Sequence, residues 1–476
     1  MLKLIKNNLF LFVSFVVILV LFLLNLENGF FWDTTQLGSK HANYYLTTNF
    51  SNLLLPKAID SGHIPAFGMY IGLMWKFFGR NLMVSHLSML PFVLGIIWQL
   101  HKTVKKHLKI EHAGLALLLV LLDPTLLSQI TLITPDIPLV FFFLLSLNSV
   151  IANKRNVLSI SVFFLFLTSM RGMMIAFCLF IIDCYYHLNF KDSFKNIFYS
   201  FVKKSLIYIP SLLLFILFSV YHYAEKGWIG YHNESPWAEC FKTVDIKGFF
   251  FNVGIFSWRL LDFGKVGIWM IFSILFIKYR KEIFKDKGTK SLLFIFICFL
   301  LILPLNMLWA KNLLAHRYLL PIFLLFSLLC AKILFSTYTH LKLKRTFVLI
   351  WLFAIISGNF WVYPEKLSQG WDATLGHLPY YKLRKQAIQY IDKQEIDIEE
   401  VHSFFPNLSA IDAIDLNKDY RRFKQYNENA QYVLYSNVYN VSDEAYDLLT
   451  SEYEPIKEFK HSTVYVRIYK KNNSAP

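Results

Sequence analysis

The sequence predicts an all-α polytopic membrane protein of about eleven transmembrane helices, N-terminus inside and C-terminus outside, with a small α/β extracytoplasmic domain at its C-terminal end. Three observations predict it. Of 476 residues, 55% are apolar or aromatic and only 17% are charged, with mean hydropathy +0.43 and 47 Phe; soluble chains carry roughly 25% charged residues. Apolar runs recur that approach the ~20 residues a helix needs to cross a hydrocarbon core about 30 Å thick. The net charge of +16 is unevenly spread, since residues 363–476 hold 14 basic and 17 acidic residues while residues 1–362 hold 34 and 15. The basic excess therefore belongs to the apolar part, which is the mark of membrane topology and excludes both an ordinary soluble enzyme and a nucleic-acid-binding protein.

The apolar runs read as helices at about 9–26, 82–100, 113–132, 136–152, 157–170, 172–188, 205–222, 264–279, 291–309, 314–335 and 346–362. The stretch 157–188 counts as two spans divided around Thr168, Ser169, Arg171 and Gly172, or as one long helix plus a re-entrant piece. The first run follows Lys3 and Lys6, and no small-x-small cleavage site follows Leu24, so it reads as a retained anchor. With the N-terminus in the cytoplasm, 21 basic residues fall on that side in the N-terminal segment and alternate short loops, as the positive-inside rule requires. Segments 27–81, 223–263 and 363–476 then face outward. The tail alternates helical patterns (Tyr381–Asp392, Asp443–Thr450) with strand-like runs (Glu400–Phe405, Gln431–Asn437, Thr463–Tyr469), and divides the chain into a membrane domain, 1–362, and a small α/β domain, 363–476. Five cysteines, four of them in apolar runs, show neither a disulfide framework nor C-x-x-C metal spacing.

Ionisable residues at membrane depth are costly and are by default candidates for function. Asp33 follows the first span in Phe30-Phe31-Trp32-Asp33-Thr34, where a carboxylate beneath aromatic residues suits a base toward an acceptor hydroxyl or amine; a helix-capping Asp is the alternative. Asp136, in Thr134-Pro135-Asp136-Ile137-Pro138, emerges on the same outer side and also has capping as its plain alternative. Asp60 and His63 stand at a Gly/Pro-punctuated turn that leads into an amphipathic stretch, Met69–Phe78, where Lys76 and Arg80 suit an anionic lipid headgroup. Arg171, inside 157–188, and His316-Arg317-Tyr318, at the outer start of the tenth span, are further candidates for holding a lipid phosphate. An ion pair of Arg171 with Asp183 or Asp136, and snorkelling of Arg317, are the ligand-free readings. The strip Gly370–Tyr380 reads as an aromatic surface that either stacks on an acceptor sugar or docks the tail on the membrane belt.

In order and sidedness, four short motifs resemble the GT-C superfamily of membrane glycosyltransferases, in particular the branch of protein O-mannosyltransferases and the lipid A aminoarabinose transferase. They are Trp32-Asp33 after the first span, Gly62-His63-Ile64-Pro65, Pro135-Asp136, and Arg317–Pro321 in a late span, and the resemblance covers residues 1–335. It implies a GT-C helical bundle with a large first outer loop, 27–81. It also implies a polyprenyl-phosphate sugar donor and inverting transfer of a hexose or pentose to a lipid, protein or glycan acceptor. By the same resemblance Asp33 is the catalytic acid/base, Asp136 the second acid, and His63 and Arg317 lie near the donor phosphate. Thr34 stands where many relatives carry Glu, and Ile64 replaces the first proline of their His-Pro-Pro. No cofactor is implied; a divalent metal is compatible but not indicated, because no ligand-spaced acidic or histidine cluster occurs.

Membrane lipids are the other expected partners, and the expected location is a bacterial inner membrane with the site and the tail on the periplasmic side. A transporter or flippase is the rival from another class, but carriers show internal repeats with paired broken helices at the midplane, and here the polar residues crowd one face without a repeat. A polysaccharide ligase or polymerase of another fold is the third reading.

Overall fold

The computed structural model describes residues 2–189, 191–235 and 237–472. All eleven apolar runs are helical. Among the described residues, three helical stretches suffice alone by length and composition to cross a membrane, Leu82–His107, Lys287–Leu308 and His316–Leu334, and up to six do if each of three bent pairs is one span. Leu9–Leu23, Asp136–Ile151 and Arg155–Thr168 are apolar but shorter.

The breaks follow from local chemistry. The run 113–132 bends by 71° between Ile110–Leu121 and Pro124–Ile130. Pro124 cannot donate a helical hydrogen bond, and the Asp123 carboxylate caps the second piece by accepting from the Thr125 and Leu126 amides at 2.9 and 3.1 Å. The stretch 157–188 resolves into two helices, Arg155–Thr168 and Met170–His187, around an extended Ser169. They pack so closely that any side chain at Gly172 would overlap the Leu165 carbonyl. An 87° bend separates Ile246–Leu261 from Lys265–Lys285, where Gly264 takes φ +81° against the Ala354 carbonyl, a conformation open to glycine alone without strain.

The first outer loop is helical too: a π-helical turn, Thr35–Lys40, runs into His41–Thr47, and Ala66–Phe78 follows. That helix buries Phe67, Ile71 and Trp75 and leaves Phe77 and Phe78 exposed.

The tail holds one mixed sheet of β1 (Val401–Ser403), β2 (Lys424–Gln425), β3 (Tyr432–Ser436), β4 (Tyr453–His461) and β5 (Val464–Lys471), in the order β2-β1-β3-β5-β4. β1 pairs parallel to β2 and β3, and β5 lies antiparallel to β3 and β4. Helix Pro379–Lys393 packs on β4 and β5. The sequence pattern misses β4 because its mostly exposed residues carry no alternating apolar signal. The tail core also takes in Phe31 and Leu132 of the bundle, so the two parts interlock.

Candidate active site

Asp33 owes its position to the tail. The Phe30 amide donates to the Ile414 carbonyl at 2.9 Å, and Phe31, 1% exposed, packs against His377, Tyr380 and Tyr381 at ring separations of 5.0–6.0 Å. The chain then turns sharply. Thr34 closes the turn, its hydroxyl donating to the Phe31 carbonyl at 2.7 Å, and Trp32 sits at φ +51°, a strained conformation for a bulky residue that costs of order 1–3 kcal/mol. Asp33 caps no helix. Its Oδ2 accepts from Arg317 at 2.5 Å and its Oδ1 from the Trp237 indole N–H at 3.2 Å.

Arg317 is the hub. It stands in the 3₁₀ turn His316–Leu319 that precedes helix Leu320–Leu334. Besides Asp33, its guanidinium pairs with Asp372 and faces Asp136 Oδ2 at 3.4 Å. Asp372 comes from the turn Trp371–Ala373, which Gln129 fastens to the bundle through a 2.8 Å hydrogen bond to the Asp372 carbonyl. Asp136 is the first residue of its helix, yet its carboxylate is engaged with Arg171 and Arg317, not with a capping amide. Arg171, second in Met170–His187, lies over the Tyr318 ring at 3.9 Å. Three carboxylates thus meet two guanidinium groups. Asp33 is the open one: its side chain is 21% exposed, against 2% and 4% for Asp136 and Asp372.

Two cavities adjoin at this cluster. A space of about 350 Å³ is bounded by Asp33, Asp136, Arg171, Arg317, Tyr318 and Asp372. A larger and mostly apolar one, about 800 Å³, is walled by Phe67, Met170, Met307 and Leu313 together with His41 and His63. Leu37, Pro135, Arg171 and Tyr318 line both. Burial, reinforced by the neighbouring Arg171 charge, holds His63 down at about 4, and burial holds His41 at about 4 as well, so both are neutral near pH 7. His41 Nε2 is committed to the Ile59 carbonyl at 2.7 Å, whereas His63 Nδ1 has no partner among the described residues.

Of the eight residues expected at the site, Asp33, Asp136, Arg171 and Arg317 converge and His63 stands on the adjoining wall. The other three lie elsewhere. Asp60, 3% exposed, faces His222 Nε2 at 3.0 Å and accepts from the Gly62 amide at 2.8 Å, which fixes its own turn. Arg80 is not available to a headgroup, because it pairs with Asp412 of the tail at 2.7 Å and stacks on Trp75. His316 turns away from its neighbour Arg317 to Asp262 at 2.8 Å. The strip 370–380 does not offer a stacking surface: Trp371, His377 and Tyr380 are 2%, 0% and 3% exposed. It supplies Asp372 instead, which with Trp237 was not among the expected site residues. Trp371-Asp372 repeats the dipeptide Trp32-Asp33, and that echo is the one signal that marks it.

No protein-family model and no curated protein matches the sequence. Among solved structures, the chain is similar to the crystal structure of ArnT from Cupriavidus metallidurans bound to undecaprenyl phosphate, at 12% identity and TM-score 0.52, over 96% of this chain and 97% of that one. The likeness is one of fold: the chain shares the ArnT fold. The identity is too low to carry residue roles across, so the site rests on its own geometry. Its elements belong to a multi-pass membrane protein, and the acid–arginine cluster lies at the end of the bundle that the tail covers. Among the described residues no group of three or more His, Cys, Asp or Glu is arranged to hold a metal ion.

Proposed function

We propose that the protein is a membrane glycosyltransferase that moves a sugar from a polyprenyl-phosphate donor to a hydroxyl or amine of a lipid, protein or glycan acceptor at the outer face of the inner membrane. The observation that carries this reading is the junction of the cavities, where a mostly apolar space meets, at Arg171, the one that holds the most accessible carboxylate of the cluster, Asp33. An isoprenoid chain needs the first and a charged phosphate needs the second. The undecaprenyl phosphate named for the similar ArnT structure is a ligand of the same kind.

In this mechanism the donor phosphate lies against Arg171, with neutral His63 available for a hydrogen bond through Nδ1. The acceptor attacks the anomeric carbon as the carbon–oxygen bond to phosphate breaks, and polyprenyl phosphate leaves with the bonding pair. Asp33 takes the acceptor proton, and the sugar inverts in a single displacement. Arg317 aims Asp33, while Asp136 and Asp372 hold Arg317. Arginine, rather than a divalent ion, balances the phosphate charge.

The test is transfer of label from polyprenyl-phosphate sugars to a membrane extract by purified protein, with wild type, Asp33→Asn, and EDTA. Transfer that disappears in Asp33→Asn and survives EDTA supports the reading. Transfer unchanged in Asp33→Asn removes Asp33 from the chemistry, and loss with EDTA replaces arginine by a metal as the phosphate's counter-charge.

A further inference from the structure

The helix Phe194–Ser205 belongs to no part of the site. It is bent 53° from the following helix, Ile209–Lys226, and no acidic residue lies within it. Its C-terminal end is fixed, since Lys204 reaches the buried Asp183 carboxylate at 3.8 Å and Phe201 packs on Phe180 with ring centroids 5.4 Å apart. The other end stands off the bundle. Between it and helix Met170–His187 lies a groove of about 650 Å³ walled by Cys184, Leu188, Phe194, Ile197, Phe198 and Phe201, with no charged side chain. Phe194 is 84% exposed and Phe198 59%. On the helical wheel Lys195 flanks the groove-lining stripe and Lys203 lies opposite it, and neither has a carboxylate partner among the described residues.

An apolar face of this size is unfavourable in water, and a helix with an aromatic stripe bordered by lysines matches the boundary between headgroups and acyl chains. Lysines without acidic partners select the sign of the headgroup, each being worth roughly fivefold in affinity at an anionic surface. We propose that this groove is a binding site for an anionic phospholipid, one acyl chain lying between Ile197, Phe198 and Cys184 and the headgroup meeting Lys195 and Lys203. The site is separate from the cavities at Asp33 and does not depend on the proposed reaction.

Cys184 reports on the groove directly. The full-length protein is placed in phosphatidylcholine discs with and without phosphatidylglycerol, and alkylation by N-ethylmaleimide is followed at Cys184 and, as internal reference, Cys240. Phosphatidylglycerol is expected to slow Cys184 while Cys240 is unchanged. In Lys195→Gln/Lys203→Gln, two exposed changes that leave the packing intact, its retention is expected to weaken roughly twenty-five-fold and the protection to vanish. Equal Cys184 rates in the two kinds of disc overturn the proposal, as does protection by phosphatidylglycerol that persists in the double variant.

Discussion

Helix Met170–His187 carries an ion cluster at each end, and the two clusters are opposites. At its start, Arg171 joins an assembly with more carboxylates than guanidinium groups, in which Asp33 is part-exposed and two cavities meet. Twelve residues on, about 18 Å along the axis, Asp183 is 0% exposed and faces two cations, Arg155 at 2.6 Å and Lys204 at 3.8 Å, with the His187 ring at 3.9 Å. Both bury charge in an apolar protein, which costs several kcal/mol per ion before pairing. The second end is closed, with its single acid over-matched, and nothing is left to react. The first end keeps one acid in reach of solvent, and Arg317, the arginine that meets it there, is shared among three carboxylates. An unsaturated cluster beside a cavity is the one the proposed reaction uses.

The comparison breaks most cleanly on two matched substitutions. Asp33→Asn is expected to reduce transfer by about a hundredfold or more, the usual weight of a general base, with a melting temperature near that of the wild type. Asp183→Asn strands two cations, Arg155 and Lys204, and is expected to cost about 3–5 kcal/mol, seen as a lower melting temperature, with transfer per folded molecule preserved. If the two variants exchange these phenotypes, Asp33 is a structural acid and the proposed mechanism fails.

Arg171→Ala sharpens the contrast at the same helix end. Loss of a charge-assisted contact to phosphate is worth about 1.5–3 kcal/mol, so the donor KM is expected to rise on the order of ten- to a hundredfold while the acceptor KM is unchanged. A fall in kcat with donor KM unaltered places Arg171 with Asp136 as a positioning residue only. Phe31→Ala tests the seat of Asp33 from the tail side. Emptying this buried ring site is expected to cost about 3 kcal/mol or more and to lower kcat, because the turn that presents Asp33 loses its anchor. Stability lost without any change in kcat means the turn holds Asp33 by itself.

How much of this was legible in the sequence depends on the background against which each residue stands. Asp33, Asp136, Arg171 and Arg317 lie in or beside apolar runs, so a charge there is an anomaly, and the rule that such charges are functional candidates found all four. The same rule overreached at Asp60 and His316, because a single sequence does not reveal that His222 and Asp262 wait to satisfy them across 162 and 54 residues. Asp372 escaped for the converse reason: in a polar tail an aspartate is ordinary, and only its pairing with Arg317, 55 residues away, makes it part of the site. The tail's two longest helices and three of its strands showed in their periodicity, whereas the short helix Ile411–Asp415, the two-residue β2 and β4, which is short of buried residues, did not. The bends at Asp123-Pro124 and Ser169 were written in single residues, but a bend turns one long apolar run into two pieces whose lengths no longer say how often the chain crosses a membrane.

The smallest effect separates the tail's two attachments. Phe31 and Arg317 hold it at the site, while Arg80 holds it from the first outer loop through Asp412. Burial opposes the charged form of Asp412, but the hydrogen bonds from Arg80 and the Lys418 amide outweigh it and keep the carboxyl below its usual range. A carboxyl depressed in the folded state contributes its stability in full above the unfolded value near ~3.9 and loses it as pH falls through the folded value. Arg80→Ala is therefore expected to cost about 1 kcal/mol or less at neutral pH, and the gap from wild type in melting temperature should narrow as pH drops below ~4. Transfer should be unaffected, because Arg80 lines neither cavity. If Arg80→Ala instead lowers transfer as strongly as Phe31→Ala does, the tail is seated by both contacts together and Asp33 depends on the whole interface.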